Sequence, residues 1–205
     1  MIAEPHETWT LRHATAWVFT ANGHLARPVV LAGDAGTGLA DLAARADHAS
    51  YSLLSELKAR GHDLILLGLP ADGSMTGDGG IVQNTVTRAI AERLGDAPLT
   101  VGGTGRGALA ARYALAGMEY QRIDHGTGVL FSHDGADPEL EDEAELSRMG
   151  GRPRIPRFLR LVAEGVADGL DDGAADDVFT GGTAASDGPL LSEEYGSWLL
   201  DRLPS

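Results

Sequence analysis

Continuous apolar runs alternate with helically spaced ones along most of this chain, and that alternation predicts its architecture. Two short alternating stretches, Thr8–His13 and Ala16–Thr20, read as an antiparallel hairpin followed by the turn signal Ala21-Asn22-Gly23. Pro28–Ala32 (PVVLA) leaves through Gly33-Asp34-Ala35-Gly36, the pattern of a fully buried strand with a glycine-rich exit. Ser50–Arg60 carries Leu53, Leu54 and Leu57 on one helical face and stops at Gly61. Asp63–Leu69 is the next buried strand, closed by Pro70. Ala71–Gly80 is rich in Gly, Asp and Ser and reads as a loop. Ile81–Leu94 follows as a helix with Val82, Val86, Ile90 and Leu94 on one face. Pro98–Gly102 is a third strand, running into Gly103-Thr104-Gly105-Arg106-Gly107 and the helix Ala108–Tyr120. Gly128–Ser132 is a fourth, ending at His133-Asp134-Gly135. Strand and helix in alternation predict an α/β fold, a mostly parallel sheet with helices on both faces.

Beyond Asp134 the pattern fades. Asp137–Glu145 holds six acids in nine residues, a solvated linker or helix start. Pro156–Leu170 and Glu193–Leu203 have helical spacing, and Asp171–Gly188 between them is small, acidic and glycine-rich, the composition of a mobile loop. The expected organisation is one domain: an α/β core over 1–136, then an acidic linker and helical C-terminal segment over 137–205, with the last strands of the sheet missing. A sheet ending after Ser132 exposes an edge that needs cover, so a homodimer through that edge is expected.

Composition narrows the partners. The length of 205 residues suits one domain, and 16 basic against 30 acidic side chains leave a net charge of −14. Such a surface repels nucleic acid and anionic lipid, so the expected partner is a small-molecule substrate or ligand, with no nucleic acid and no membrane. No apolar run reaches the length of a bilayer span, and the polar opening residues Met1–Thr8 do not read as a signal peptide, so a cytoplasmic protein is expected. Cysteine is absent, which removes disulfides and thiolate metal sites. Lys58 is the only lysine, and this arginine bias with abundant Ala, Gly and Asp points to a GC-rich, bacterial coding sequence. Gly103-x-Gly105-x-x-Ala108 loosely fits a dinucleotide fingerprint. Two strands besides the hairpin precede it, however, and the next strand ends in Ser132-His133 without an acid, so no cofactor is expected.

Four features along the chain resemble the α/β-hydrolase superfamily, its lipase- and esterase-like members in particular. Gly33-Asp34-Ala35-Gly36 follows the first core strand, where that family places an oxyanion loop. Gly103-Thr104-Gly105-Arg106-Gly107 follows the third, at the place of its G-x-S-x-G nucleophile elbow. Ala108–Leu115 is similar to the helix behind the elbow, and Arg60–Leu66 to the strand after the first core helix, so the resemblance covers residues 8 to 138. On this register the nucleophile position is Gly105, which has no side chain, and Thr104 takes the variable position. Family order is nucleophile, acid, histidine, yet only His125 and His133 lie beyond Gly105. The resemblance therefore implies the fold without Ser-His-Asp hydrolysis.

Several residues remain as candidates for chemistry. The resemblance makes the backbone N–H of Arg106, and one near Asp34 or Ala35, donors to an anion. Asp34, His133 and Asp134 stand at strand ends expected to face one crevice, where they can serve as acid and base. Gly33, Ala35, Gly105 and Arg106 are the expected substrate-binding residues, and no metal site is expected, since one histidine without cysteine suits zinc poorly. The bland alternative is polar strand ends satisfied by water and loop amides, with glycines that only make tight turns. Three functions follow: non-hydrolytic acid–base chemistry (cyclisation, elimination or isomerisation of a small organic substrate); a catalytically inactive pseudo-hydrolase that binds a ligand or a protein; or a weak esterase using Thr104. Trp9, Trp17 and Trp198 are expected as core or interface anchors. His6, His24, His48 and His62 are expected at the surface. The cluster Arg152, Arg154, Arg157 and Arg160 is expected to pair with the Asp137–Glu145 run or another acidic surface.

Overall fold

A computed structural model of the chain describes residues 3–167, 170, 172–182 and 187–204. A hairpin of β1 (Glu7–Leu11) and β2 (Ala14–Phe19) leads to β3 (Pro28–Ala32), α1 (Leu39–Ala46), α2 (Leu53–Ala59) and β4 (Asp63–Gly68). Then come α3 (Met75–Glu92), β5 (Leu99–Thr104), α4 (Arg106–Tyr120), β6 (Thr127–His133) and α5 (Leu140–Arg148). The described chain closes with β7 (Arg157–Ala163), β8 (Asp177–Gly181) and α6 (Glu193–Leu200). The strands form one sheet in the order β1-β2-β4-β3-β5-β6-β7-β8. Pairing is antiparallel for β1–β2 and β2–β4 and parallel from β4 across to β8.

The apolar strands are buried because each faces a helical layer on both sides. Val30, Ile65, Val101 and Leu130 pack under α3 and α4, against Val82, Val86, Ala111 and Leu115. Val29, Leu31, Leu66, Phe131 and Leu161 point the other way, onto Leu42, Leu53, Leu57 and Leu199 of α1, α2 and α6. A buried carboxylate fixes the approach to β3: Asp63 accepts the backbone N–H groups of Ala21, Ala26 and Arg27 at 2.8, 2.7 and 2.9 Å. These bonds satisfy amides that the irregular segment between β2 and β3 would otherwise leave unpaired.

The α/β architecture expected from the alternation is the one found, with four corrections. Pro156–Leu170 is not helical where described: it holds the strand β7. Its apolar residues Phe158, Leu159, Leu161 and Val162 fit either period, which apolar spacing alone does not separate. In the sheet Phe158 faces the α4 side while Leu159 and Leu161 face the α6 side, the two-residue period of a strand. The expected loop Asp171–Gly188 contains β8, and its residues 171 and 183–186 lie outside the described ones. The late strands are therefore present, and the C-terminal segment is not merely helical. β6 is paired with β7, so no edge opens after Ser132 and the argument for a dimer through that edge falls away.

Shifts elsewhere have local causes. The acidic run becomes α5, with Glu141, Asp142 and Glu143 in the first turn, where carboxylates complement the helix dipole. Half of the expected loop Ala71–Gly80 is helix, because Ser74 Oγ accepts the Gly77 N–H at 3.1 Å and caps α3 one turn and more before Ile81. α1 had no counterpart in the expected order; it buries only Leu42, Ala43 and Ala46, a small apolar face. Arg157 pairs with Asp177 on the adjacent strand rather than with the acidic run. His62 is buried, not exposed.

Two backbones come very near each other where α4 crosses β3. A β-carbon on Gly107 would stand 2.3 Å from the Ala32 carbonyl oxygen and 2.5 Å from that of Gly33, both immobile backbone atoms. Gly80, inside α3, would instead meet nothing within 4 Å. Gly107→Ala is accordingly expected to lower unfolding free energy by about 3 kcal/mol, and Gly80→Ala to raise it by about 0.5–1 kcal/mol. Equilibrium urea denaturation of the two variants checks both signs.

Candidate functional site

β3, β4, β5 and β6 run parallel, so their carboxyl ends gather at one rim of the sheet, where open α/β folds place ligands. The sharpest feature there is the passage from β5 into α4. Gly105 makes it in a single residue with φ 53° and ψ −125°, a conformation that side-chain-bearing residues adopt only under strain. The turn is held from both sides: the Gly105 N–H donates to the His133 carbonyl at 3.2 Å, and the Gly105 carbonyl accepts the Ala136 N–H at 3.0 Å.

Asp34 fills the space over this turn. A β-carbon built on Gly105 would lie 2.4 Å from Asp34 Cγ and 2.4 Å from its Oδ1. Oδ1 accepts the backbone N–H of Arg106 at 2.8 Å and that of Ala35 at 2.9 Å. These are the donors expected to form an anion pocket, and the anion they hold is the chain's own carboxylate. The first N–H of the 15-residue helix α4 favours that charge twice, as a donor and as the positive end of the dipole. Asp34 is exposed, and its Oδ2 takes no hydrogen bond from a described residue. Gly33 lies just behind, its α-carbon pressed on Leu42, where an added β-carbon would meet Cδ1 at 2.4 Å.

The structure thus brings together Asp34, Ala35, Gly105 and Arg106. The side chains of His133 and Asp134 do not join them through any hydrogen bond or ion pair among the described residues; only the His133 backbone carbonyl does, by accepting the Gly105 N–H. The His133 side chain is 4% exposed and meets the Tyr195 ring edge-on, 5.1 Å between centroids. Among the described residues neither ring nitrogen has a hydrogen-bond partner, and the nearest carboxylate, Asp134 Oδ2, stands at 3.6 Å from Nε2. Burial pushes the His133 imidazole below the ordinary histidine pKa; Asp134 pulls it up and Arg45 pushes it down. Asp134, at φ 44°, uses Oδ1 to accept the Ala163 N–H at 2.7 Å, which ties the end of β6 to the end of β7. Thr104 is the last residue of β5, paired in register with His133, and no described residue hydrogen-bonds its hydroxyl. Gly105, not Thr104, stands at the apex of the turn.

A second group escaped the sequence reading. The Arg106 side chain reaches the Ala71 carbonyl at 3.2 Å, the Gly73 carbonyl and, at 2.5 Å, Asp78 Oδ2. Asp78 is 1% exposed, and its other oxygen has no hydrogen-bond partner among the described residues. Burial pushes its carboxyl above the usual range, against the pull of Arg106. One signal was available: stepping back four residues along the Val82, Val86 and Ile90 face lands on Asp78, an acid on a buried stripe. Among the described residues, no group of three histidines or carboxylates is close enough to hold a metal ion. Nor is any described helix long and apolar enough to cross a membrane.

No protein-family model matches this sequence, and no curated protein sequence matches it. Solved structures do. Carboxyl esterase 2 from Tuber melanosporum superposes with a TM-score of 0.64 at 15% identity, covering 94% of this chain and 81% of its own. A putative carboxylesterase from Lactobacillus plantarum gives 0.61 at 10% identity, with 95% of both chains covered. One of two fungal esterases from Rhizomucor miehei gives 0.61 at 13% identity over 95% of this chain and 78% of that one. At such identities the likeness is one of fold, and the fold is that of the α/β-hydrolases.

The buried imidazoles make stability depend on pH. His133 and His62 both have folded pKa values depressed chiefly by burial, so the unfolded chain binds their protons more readily. Their contribution is fully present above the ordinary histidine value of about 6.5 and is lost as pH falls through the depressed folded values. Stability is expected to drop between pH 7 and pH 5, and His133→Asn to flatten that slope. Urea midpoints at a series of pH values measure it.

Proposed function

We propose that this chain is an α/β-hydrolase-fold protein that lacks a Ser-His-Asp triad and works by non-covalent recognition, as a catalytically inactive relative of the hydrolases. The single observation that carries this reading is the position of Asp34. Where the resemblance sets a nucleophile, Gly105 offers no atom, and the space a side chain would take is filled by a carboxylate. The two amides that would stabilise an oxyanion are committed to Asp34 Oδ1. An ester carbonyl would have to displace that carboxylate and would then find no nucleophile to attack it. The absence of any histidine after His133, and the burial of His133, support the same reading. The retained turn and packing then serve as scaffold for a binding surface.

The exposed Oδ2 of Asp34 favours a second reading: non-hydrolytic acid–base chemistry such as isomerisation or elimination. A free carboxylate oxygen held rigidly by two amides at the strand ends can take a proton from a bound substrate. In that case Asp34 acts without His133, and Asp34→Asn abolishes turnover of the substrate while preserving the fold.

Two measurements test the first reading. The purified protein is expected to resist labelling by a fluorophosphonate serine-hydrolase probe and to leave p-nitrophenyl acetate unhydrolysed above background. Labelling at Thr104 would defeat it. Gly105→Ser is expected to create no esterase and to cost about 1–3 kcal/mol of stability from the strained turn. Part of that cost should vanish in an Asp34→Ala background, with a coupling of about 1 kcal/mol. Additive effects in the double-mutant cycle would show that Asp34 does not occupy the apex in solution.

A further inference from the structure

Leu140 and Ile155 are the most exposed large apolar side chains among the described residues, at 87% and 69%. An aliphatic side chain in water is ordinary in itself. Here each stands amid dense charge, and the two charges are opposite in sign. Leu140 opens α5 inside Asp137–Glu145, a run of six acids in nine residues. Ile155 lies within Arg148–Arg157, which holds four arginines and no acid in a chain of net charge −14. The acids at the start of α5 answer its dipole and need no partner. The leucine among them gains nothing from the dipole.

Ile155 and Ile123 wall a shallow cleft of about 370 Å³ beyond the end of α4, whose other lining residues are Glu119, Arg122 and Asp124. The isoleucine is held there firmly. Glu119 accepts the Arg154 N–H at 2.8 Å and the Ile155 N–H at 2.9 Å, and its Oε1 lies 3.2 Å from Nε2 of buried His125. His125 Nδ1 accepts the Thr127 N–H at 3.1 Å, so the imidazole proton sits on Nε2 and is donated to Glu119. Asp124 Oδ1 accepts the Gly126 N–H at 2.8 Å. Both carboxylates of the cleft thus serve the fold. The Arg122 and Arg154 guanidinium groups, by contrast, take part in no hydrogen bond or ion pair among the described residues, and both residues are exposed.

One molecule cannot bring its own Leu140 to this cleft. Ile123 and Ile155 precede the parallel strands β6 and β7, whereas Leu140 follows β6 at the opposite end of the sheet, with the nine residues of α5, about 13 Å of helix, between them. We propose that the Ile123–Ile155 cleft receives Leu140 of a second copy of this chain, with Arg122 and Arg154 meeting the acids that flank the leucine. The contact is heterologous, one knob and one cleft per copy, so molecules associate head to tail. No residue of the elbow takes part, and the contact stands whether or not Asp34 does chemistry. The net charge of −14 repels two copies at most approaches and favours the one where arginines meet acids. A leucine in a shallow cleft buries far less than the about 1,200 Å² of a stable interface, so the affinity is weak, roughly millimolar.

Sedimentation equilibrium of the full chain, from micromolar to millimolar, tests this. The weight-average mass is expected to rise with concentration. Leu140→Ser, which removes the knob, and Ile155→Ser, which removes a wall of the cleft, should each stay at the monomer mass. Their equimolar mixture should associate again and stop at the dimer, because one intact knob then meets one intact cleft; that recovery also shows both variants folded. Arg122→Glu/Arg154→Glu should likewise lose association alone and regain it when mixed with Glu141→Arg/Glu143→Arg. A wild-type mass constant up to millimolar, a single variant associating like the wild type, or mixtures that remain monomeric would each overturn the proposal. If the mass is constant while a synthetic peptide of residues 137–146 shifts the Ile123 and Ile155 amides of the ¹⁵N-labelled chain, the cleft belongs to an acidic segment of another protein and the self-contact is overturned.

Discussion

One backbone constraint governs this molecule: α4 must start directly over β3, closer than any side chain allows. Gly107 meets the carbonyls of Ala32 and Gly33, so the start of the helix is set by backbone contact, while Ala111 and Leu115 pack on the sheet further along. To bring the chain there from β5 in one residue, Gly105 takes a left-handed turn. The turn aims the Arg106 N–H just past the end of β3, where Asp34 follows Gly33. The sheet, the elbow and the carboxylate that occupies it are thus one arrangement. Each part follows from how near two elements approach.

Without Asp34 the amide of Ala35 and that of Arg106 at the positive end of α4 would be unpaired donors, and leaving them empty would cost free energy. In a hydrolase fold the substrate's developing charge answers that demand only for the moment of reaction. Here Asp34 answers it permanently. With glycine at the apex of the turn, a resident carboxylate is stabilising there.

The α/β core was legible because its strands are apolar runs with abrupt glycine or proline ends. Pro28–Ala32 needed no knowledge of its neighbours to be placed, and Gly103–Gly107 marked a strand-to-helix passage by composition alone. β7 was not legible. Phe158, Leu159, Leu161 and Val162 satisfy both periods, and only the partner strands on either side decide between them. Of the site, the grouping of Asp34, Ala35, Gly105 and Arg106 followed from their places at strand ends. That Asp34 would turn inward onto the amides, and His133 away under Tyr195, depended on rotamers and on a helix far along the chain. Asp78 was hidden by glycines at positions 77, 79 and 80, which mask a helix that Ser74 caps.

Tyr195 on α6 lies edge-on to His133 and donates its hydroxyl to the Val162 carbonyl at 3.0 Å. The imidazole owes part of its burial to that late helix, so its proton affinity is not settled until the end of the chain has docked. While α6 is detached, His133 is open to solvent and can carry charge; docking must strip that proton away. Seating of the final helix over His133 is therefore coupled to the proton state of that imidazole, and the neutral form favours it.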